Sequence, residues 1–259
     1  MIDWQASKEQ WILEVRRQLL PELIADPRFP DAHMLTGRFE AAVGRWEAGG
    51  AFLPVIHDGN ELAGAHTILK HIGDEDRLRY EARLAGTAKS IDFLVETKEG
   101  PVWIDFKTVA PQWQDDDASW ERFERIAADF PAHARLVVDR AWSGAALSGQ
   151  ELKSRWSFIQ RTVEAEQKAA LLQDHERGPV WLLLCSNGAW HLDGLEDFAD
   201  FYRTGRFRED DWSQNAIARY LAAEGIGFTR TLAGFSFLRR YHEEVRANHF
   251  VQCVQQFSL

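Results

Sequence analysis

Two apolar segments joined by a short polar turn constrain the fold of this chain more than any other feature. SIDFLVE at 90–96 and PVWIDFKTV at 101–109 are rich in the β-branched and aromatic residues that favour strands, and TKEG links their apolar parts. An antiparallel hairpin centred on this turn pairs Asp92 with Asp105. Because side chains alternate along a strand, Lys107 is predicted to lie on the same face as Asp105.

These three charged side chains are interpreted as a metal-dependent centre. Cross-strand partners stand about 4.5 to 5.5 Å apart at Cβ, so the two carboxylates are predicted to be close enough to share one cation. Without a cation they repel each other, and one takes up a proton. Mg²⁺ is usually held by one or two carboxylates together with water and phosphate oxygens. A neighbouring lysine can orient or deprotonate the attacking water, so the pattern predicts phosphodiester cleavage.

The segments around the hairpin predict an α/β fold. Amphipathic patterns indicate helices within residues 1–50, and from about 52 to 110 the hydrophobic period approaches two. ELKSRWSFIQRTVEAEQKAALLQ at 151–173 predicts a long helix, and GPVWLLLCSNG at 178–188 predicts a buried strand. The order is therefore helix, three strands, helix and strand. The chain from Leu195 onward is predicted to be mainly helical.

The spacing D-x₁₂-DFK at 92–107 resembles the PD-(D/E)xK motif of the restriction-endonuclease-like nucleases. The resemblance implies an α-β-β-β-α-β core with a central mixed sheet flanked by helices, and it agrees with the predicted order of elements. It covers residues 36–190 of a single domain spanning 1–259. Helical additions are expected at both ends, the C-terminal one at 195–259.

The resemblance also implies roles for the hairpin residues. Asp92 and Asp105 would ligate Mg²⁺, for which Mn²⁺ is expected to substitute, and the Phe106 carbonyl would add a ligand. Lys107 would act on the nucleophilic water. By resemblance, the protein is expected to be a magnesium-dependent nuclease, most simply an endonuclease.

Further site residues are expected on two helices. Many members of the superfamily carry a glutamate on the first core helix. Glu40 in GRFEAAVGRWEAGG is the best match, with Glu47 two turns later as the alternative. Gln160 or Gln167, on the helix after the motif, is expected to touch the substrate.

Two departures from the motif leave alternatives open. Ile91 stands where the motif has proline, and Asp105 stands where many members have glutamate; the superfamily tolerates both. Asp105 and Lys107 could instead form a surface ion pair, contributing under about 1 kcal/mol and no chemistry. The other alternative is a catalytically inactive nucleic-acid-binding or interaction protein that keeps the nuclease fold.

Composition narrows the expected partners. The net charge of −10 argues against nonspecific coating of nucleic acid, but not against an enzyme that grips a short stretch. The resemblance, and not the composition, implies DNA over RNA as the substrate. A homodimer is compatible with cleavage of both strands, which needs two centres. The sequence lacks a leader pattern and a long apolar run, so a cytoplasmic protein without membrane association is expected.

Other chemistries lack their sequence patterns. The nine histidines show no HxxxH or HExxH spacing, which disfavours a zinc centre. No phosphate-binding loop, dinucleotide fingerprint or serine elbow is present. Two cysteines are too few for a metal knuckle, and both are predicted to be reduced.

Overall fold

A six-stranded mixed sheet flanked by helices forms the centre of the protein. The computed structural model describes residues 4–109, 161–173, 177–186, 201–204, 225, 227–240 and 252–258. The strands lie in the sheet in chain order. The coarse prediction of an α/β fold is therefore confirmed.

The N-terminal part of the chain is helical as far as the first strand. Its elements are α1 (Trp4–Glu14), a π-helical turn (Val15–Leu19), α2 (Leu20–Ala25), α3 (Ala32–Glu47) and α4 (Leu53–His71). The helices predicted within residues 1–50 are confirmed. The period-two pattern predicted from about residue 52 is wrong for 53–71, which form the longest of these helices.

The reason for that error is the burial of α4. Twelve of its residues are buried, so its sequence, LPVIHDGNELAGAHTILKH, carries no clear polar face to reveal the helical period. Gly64 lets the helix approach the sheet, since a Cβ there would lie 2.7 Å from Cε2 of Phe106. The start signal was present in the sequence, because Pro54 stands in the first turn, where proline suits a helix.

The strands form two antiparallel units joined by parallel pairing. They are β1 (Arg77–Arg83), β2 (Ser90–Thr97), β3 (Gly100–Val109), β4 (Val180–Ser186), β5 (Gly234–Arg240) and β6 (Gln252–Ser258). β1, β2 and β3 form an antiparallel meander, β3, β4 and β5 run parallel, and β6 is antiparallel to β5. The predicted order of three strands, a helix and a further strand is confirmed, and the structure shows that this further strand, β4, runs parallel to β3.

The C-terminal prediction needs correction. Residues from 195 onward were expected to be mainly helical, but β5 and β6 extend the sheet, while 201–204 are helical. Short apolar runs such as FSFL do not distinguish a buried strand from a buried helix by period alone. In the helix predicted over 151–173, residues 161–169 are helical, and 151–160 lie outside the described residues.

Helices cover both faces of the sheet. On one face α1 to α4 pack against Phe93, Phe106 and Leu183. On the other face the helix at 161–169 contributes Ala165 to a cluster with Leu182. Within the described part of the chain, no helix is both long enough and apolar enough to cross a membrane.

Candidate metal-binding site between β2 and β3

The hairpin register brings the two predicted aspartates to one point in the sheet. Phe93 pairs with Ile104 and Thr97 pairs with Gly100, as predicted. The β2–β3 ladder stops at Phe93 and Ile104, while β2 remains paired with β1 and β3 with β4. The two meander strands therefore part where Asp92 and Asp105 stand.

The backbone around Asp92 departs from regular pairing on both sides. The β1–β2 ladder omits Glu81, the residue opposite Asp92, and Glu81 has φ of +47°. A positive φ is uncommon for a residue other than glycine and tends to occur at functional sites. On the other side, Oδ2 of Asp92 accepts a hydrogen bond of 2.7 Å from the Phe106 N–H. The Asp92 carboxylate thus accepts the hydrogen bond of the Phe106 N–H in place of a backbone partner from the strand ladder.

Lys107 links the two carboxylates as the hairpin predicted. Its Nζ lies 3.0 Å from Oδ2 of Asp105 and 3.4 Å from Oδ2 of Asp92. Asp105 is fully buried, with 0% of its side chain exposed. The alternative of a surface ion pair on an edge strand is therefore wrong, because β3 is central and its aspartate is inaccessible to water.

A second lysine, which the sequence analysis did not identify, completes the cluster. Nζ of Lys168, in the helix at 161–169, lies 2.5 Å from Oδ1 of Asp105 and 4.0 Å from Oδ1 of Asp92. Its helix packs on the face that carries Asp105. The cluster therefore contains two carboxylates and two ammonium groups, with no formal net charge.

Burial and mutual repulsion shape the electrostatics of the site. Burial raises the pKa of Asp105 to about 6, and the Asp92 charge acts in the same direction against the two lysines. Burial lowers the pKa of Lys107, but the charges of Asp92 and Asp105 outweigh it and leave that pKa raised. Lys107 is therefore an ammonium group at neutral pH.

The arrangement fits a divalent cation held by two carboxylates. Oδ2 of Asp105 is buried, and the Lys107 ammonium at 3.0 Å is its described partner, without a well-oriented hydrogen bond. The ammonium of Lys168 faces Oδ1 of both carboxylates, at 2.5 Å from Asp105 and 4.0 Å from Asp92, so a cation is already present on that side of the pair. Among the described residues, no group of three or more His, Cys, Asp or Glu side chains is arranged to hold a metal ion. Water and phosphate oxygens would therefore have to supply the other ligands, as is usual for Mg²⁺.

An acid on α4 lies near this cluster. Burial raises the pKa of Glu61 to about 7, the Tyr80 hydroxyl and Arg38 oppose the rise, and the Asp92 charge adds to it. The Tyr80 hydroxyl donates a 2.6 Å hydrogen bond to Oε2 of Glu61. Arg38, on α3, donates a 2.8 Å hydrogen bond to Asp58, which lies on α4 as Glu61 does. Arg38 also donates a hydrogen bond to the Tyr80 hydroxyl. Glu61 is thus an acid on the helix that directly precedes the meander.

The structure does not bring the predicted Glu40 to the cluster. Glu40 and its alternative Glu47 both form ion pairs with Arg16, at 2.5 Å and 3.8 Å. No hydrogen bond or ion pair described for Glu40 reaches Asp92 or Asp105. The physical reason is that α4, and not α3, is the helix before the meander.

The remaining predicted residues divide between described and undescribed parts of the chain. Gln167 is exposed and neighbours Lys168, while Gln160 lies outside the described residues. The Phe106 side chain is buried against α4, and its backbone N–H serves Asp92. The metal-ligand role of the Phe106 carbonyl stays a prediction.

The two residues that the sequence analysis missed had different signals. Ala165 and Ala169 mark the buried side of the helix at 161–169, Leu172 packs on the same cluster beyond its end, and Lys168 lies beside Ala169. Its position next to apolar residues was a usable signal. Glu61 could not be predicted as a site residue, because α4 was not predicted to be a helix.

Similarity to known proteins gives no further guide to this site. Comparison with protein-family models, with curated proteins and with solved structures found no match to this chain. The functional conclusion therefore has to come from the residues and their geometry.

Proposed function

We propose that the protein is a metal-dependent nuclease that hydrolyses phosphodiester bonds of DNA. The observation that carries the proposal is the pair Asp92 and Asp105, which meet at a split in the sheet and share Lys107. We also propose that α4, β1, β2, β3, the helix at 161–169 and β4 form a restriction-endonuclease-like core. The order of elements and the parallel β3–β4 pairing support that assignment.

The chain's own groups divide the chemistry as follows. Asp92 and Asp105 supply carboxylate oxygens for Mg²⁺, which would polarise the attacking water and neutralise charge on the phosphate. Lys107, an ammonium group at neutral pH, donates hydrogen bonds to that water or to a phosphate oxygen and stabilises the developing negative charge.

Glu61 takes the place that the sequence analysis gave to Glu40. It is an acid on the helix before the meander, and its charge is coupled to that of Asp92. Its hydrogen bond from Tyr80 fixes the carboxylate within the α4–β1 contact. We assign Glu61 an electrostatic effect on Asp92 from the helix before the meander, and no direct contact with the reacting atoms.

One observation favours the alternative of an inactive nucleic-acid-binding protein. The two lysines already balance the charges of the two aspartates without a metal. An inactive relative of a nuclease would be stable in that state. The two functions differ in one measurable property, namely cleavage that depends on a divalent ion.

The test is a cleavage assay with matched variants. Purified protein is incubated with supercoiled plasmid, single-stranded DNA and RNA in Mg²⁺, Mn²⁺ or EDTA. Wild type is expected to cut DNA with either metal and to be inactive in EDTA. Asp105→Ala and Lys107→Ala are expected to lose roughly a hundredfold or more of the rate, because each removes a group that acts on the transition state.

Exposed residues of the same type provide the controls. Asp74→Ala and Lys89→Ala change the same charges on the surface and are expected to cut at the wild-type rate. Equal cleavage by wild type, Asp105→Ala and Lys107→Ala would reject the nuclease proposal. Cleavage that persists unchanged in EDTA would reject the metal-dependent chemistry.

A further inference from the structure

The two lysines of the site occupy different sides of the carboxylate pair. Lys107 faces the two Oδ2 atoms, and Lys168 faces the two Oδ1 atoms. The shortest contact in the cluster joins Nζ of Lys168 to Oδ1 of Asp105, at 2.5 Å. The Lys168 ammonium is therefore a cation on the Oδ1 side of the pair, close to Asp105 and 4.0 Å from Asp92, and it would compete with a divalent ion bound there.

The two lysines also differ in how the fold holds them. Lys107 is two residues from Asp105 on a central strand, so its backbone is fixed relative to both carboxylates by the ladder with β4. Lys168 reaches Asp105 from the last turn of a separate helix, and 21% of its side chain is exposed, against 15% for Lys107. A flexible side chain with access to water can leave its partner without a change in the sheet.

Charge balance indicates what happens when a divalent ion arrives. The two aspartates and two lysines together carry no formal charge. A divalent ion between the carboxylates adds two positive charges, and an ammonium group at the same Oδ1 atoms would repel it at short range. Movement of Lys168 away from Asp105 relieves that repulsion. The site is then positive overall, which suits the anionic phosphate of a nucleic acid.

We propose that Lys168 is a displaceable counterion. In the metal-free protein it holds Asp105, and on binding of a divalent ion it is released to contact a phosphate oxygen of the substrate. The inference rests on the proposed function for its phosphate contact, but the displacement itself depends only on metal binding. Lys168 thereby links metal occupancy to substrate recognition.

Calorimetric titration with Mn²⁺ tests the displacement without an activity assay. Lys168→Met keeps the length of the side chain and removes the competing charge. We expect it to bind Mn²⁺ roughly ten- to hundredfold more tightly than wild type, because a charge-assisted contact no longer has to be broken. Lys89→Met, which changes the same charge at an exposed position, is expected to leave the affinity unchanged.

The other outcomes of the titration count against the proposal. Unchanged or weaker Mn²⁺ binding by Lys168→Met overturns it, as does the absence of Mn²⁺ binding in both proteins. Lys107→Met is the internal comparison. If that variant alone binds Mn²⁺ more tightly, then Lys107 is the displaced group and the assignment to Lys168 is wrong.

Chemical labelling provides an independent measurement on the intact protein. Wild type is treated with a lysine acetylating reagent with and without Mn²⁺, and each site is quantified by mass spectrometry. We expect acetylation of Lys168 to rise severalfold with Mn²⁺, while that of Lys89 stays constant. No rise at Lys168 overturns the proposal.

Failure of this inference and failure of the nuclease proposal give different results. Tighter Mn²⁺ binding by Lys168→Met in a protein that cleaves neither DNA nor RNA supports the displacement and rejects the nuclease. Metal-dependent cleavage by wild type, together with unchanged Mn²⁺ binding in Lys168→Met, supports the nuclease and rejects the displacement.

Discussion

Two buried carboxylates lie near the helix at 161–169, and they differ in the groups that compensate their burial. Glu166, on that helix, accepts hydrogen bonds from the Tyr202 hydroxyl and from the backbone N–H groups of Thr229 and Arg230, at 2.6 to 3.0 Å. Asp105 faces lysine ammonium groups, and its Oδ2 accepts no hydrogen bond. One carboxylate is satisfied by fixed donors, and the other is balanced by side chains.

The difference teaches how to separate a structural carboxylate from a functional one. Backbone donors cannot leave, so the Glu166 contacts fasten the 229–232 segment to its helix. Lysine side chains can leave, so the surroundings of Asp105 can accept another cation. A buried carboxylate with an unsatisfied oxygen lowers stability, and such a cost is typical of functional sites.

The largest expected effect is on cleavage activity, and it tests whether Asp105 and Glu166 differ in function. Asp105→Asn keeps the shape of the side chain and removes its charge, so we expect metal-dependent cleavage to fall at least about a thousandfold. Glu166→Gln is expected to reduce cleavage less than about tenfold at a temperature where it is folded. Initial rates on plasmid DNA provide the measurement. Equal losses in the two variants would contradict the distinction between the two carboxylates.

The second prediction concerns stability at Glu166. In Glu166→Gln the amide nitrogen replaces one oxygen and faces a backbone N–H or the Tyr202 hydroxyl, leaving a buried donor without an acceptor. We expect the free energy of unfolding to fall by roughly 2 to 3 kcal/mol. Glu164→Gln is the matched control, since Glu164 pairs with Arg161 on the surface and its loss should cost under about 1 kcal/mol. Urea denaturation compares the two, and similar losses would contradict the prediction.

The third prediction uses the pH dependence of stability. The pKa of Asp105 is raised to about 6 in the folded protein. Protonated Asp105 therefore favours the folded state, and this contribution to stability is lost as the pH rises through 6. Asp105→Asn has no charge to bury at this position. Its free energy of unfolding is therefore expected to exceed that of wild type by about 1 to 3 kcal/mol at pH 7.5. Below pH 4 the difference should vanish.

Asp26 provides a control of opposite sign. Hydrogen bonds from Arg28 lower the pKa of Asp26, so its ionised form stabilises the fold above the ordinary value and this contribution is lost as the pH falls. Asp26→Asn is therefore expected to be less stable than wild type at neutral pH. Urea denaturation between pH 3.5 and 7.5 measures both variants. A destabilised Asp105→Asn at pH 7.5 would contradict the assigned cost of the Asp105 charge.

The smallest expected effect is on stability and concerns two tyrosines, Tyr80 and Tyr202, which donate hydrogen bonds to Glu61 and Glu166. Tyr80→Phe removes one hydrogen bond to Glu61 and is expected to cost about 1 kcal/mol at pH 8. The cost should be smaller at pH 5, where Glu61, with its pKa near 7, is protonated. Tyr202→Phe should cost more, because both hydrogen bonds of the Tyr202 hydroxyl are buried, whereas those of Tyr80 with Glu61 and Arg38 are part-buried. Thermal or urea unfolding at both pH values measures this, and a pH-independent loss for Tyr80→Phe would contradict it.

Local sequence information predicted the meander well. The strand pattern, the turn and the register of β2 with β3 follow from alternation and loop length, and the proximity of Asp92 to Asp105 and Lys107 is confirmed. The helix α4 was missed because burial on nearly all sides removes the amphipathic period. The strands β5 and β6 were missed because short apolar runs do not distinguish strand from helix.

The sequence by itself determined the paired aspartates and the lysine beside them, because hairpin geometry depends only on residues that are close along the chain. Tertiary structure alone decided which distant residues join them. Lys168 reaches Asp105 and Glu61 approaches Asp92 because two helices pack against opposite faces of the sheet. Packing contacts between segments far apart in sequence carry no local period or spacing, and so they could only be read from the folded chain.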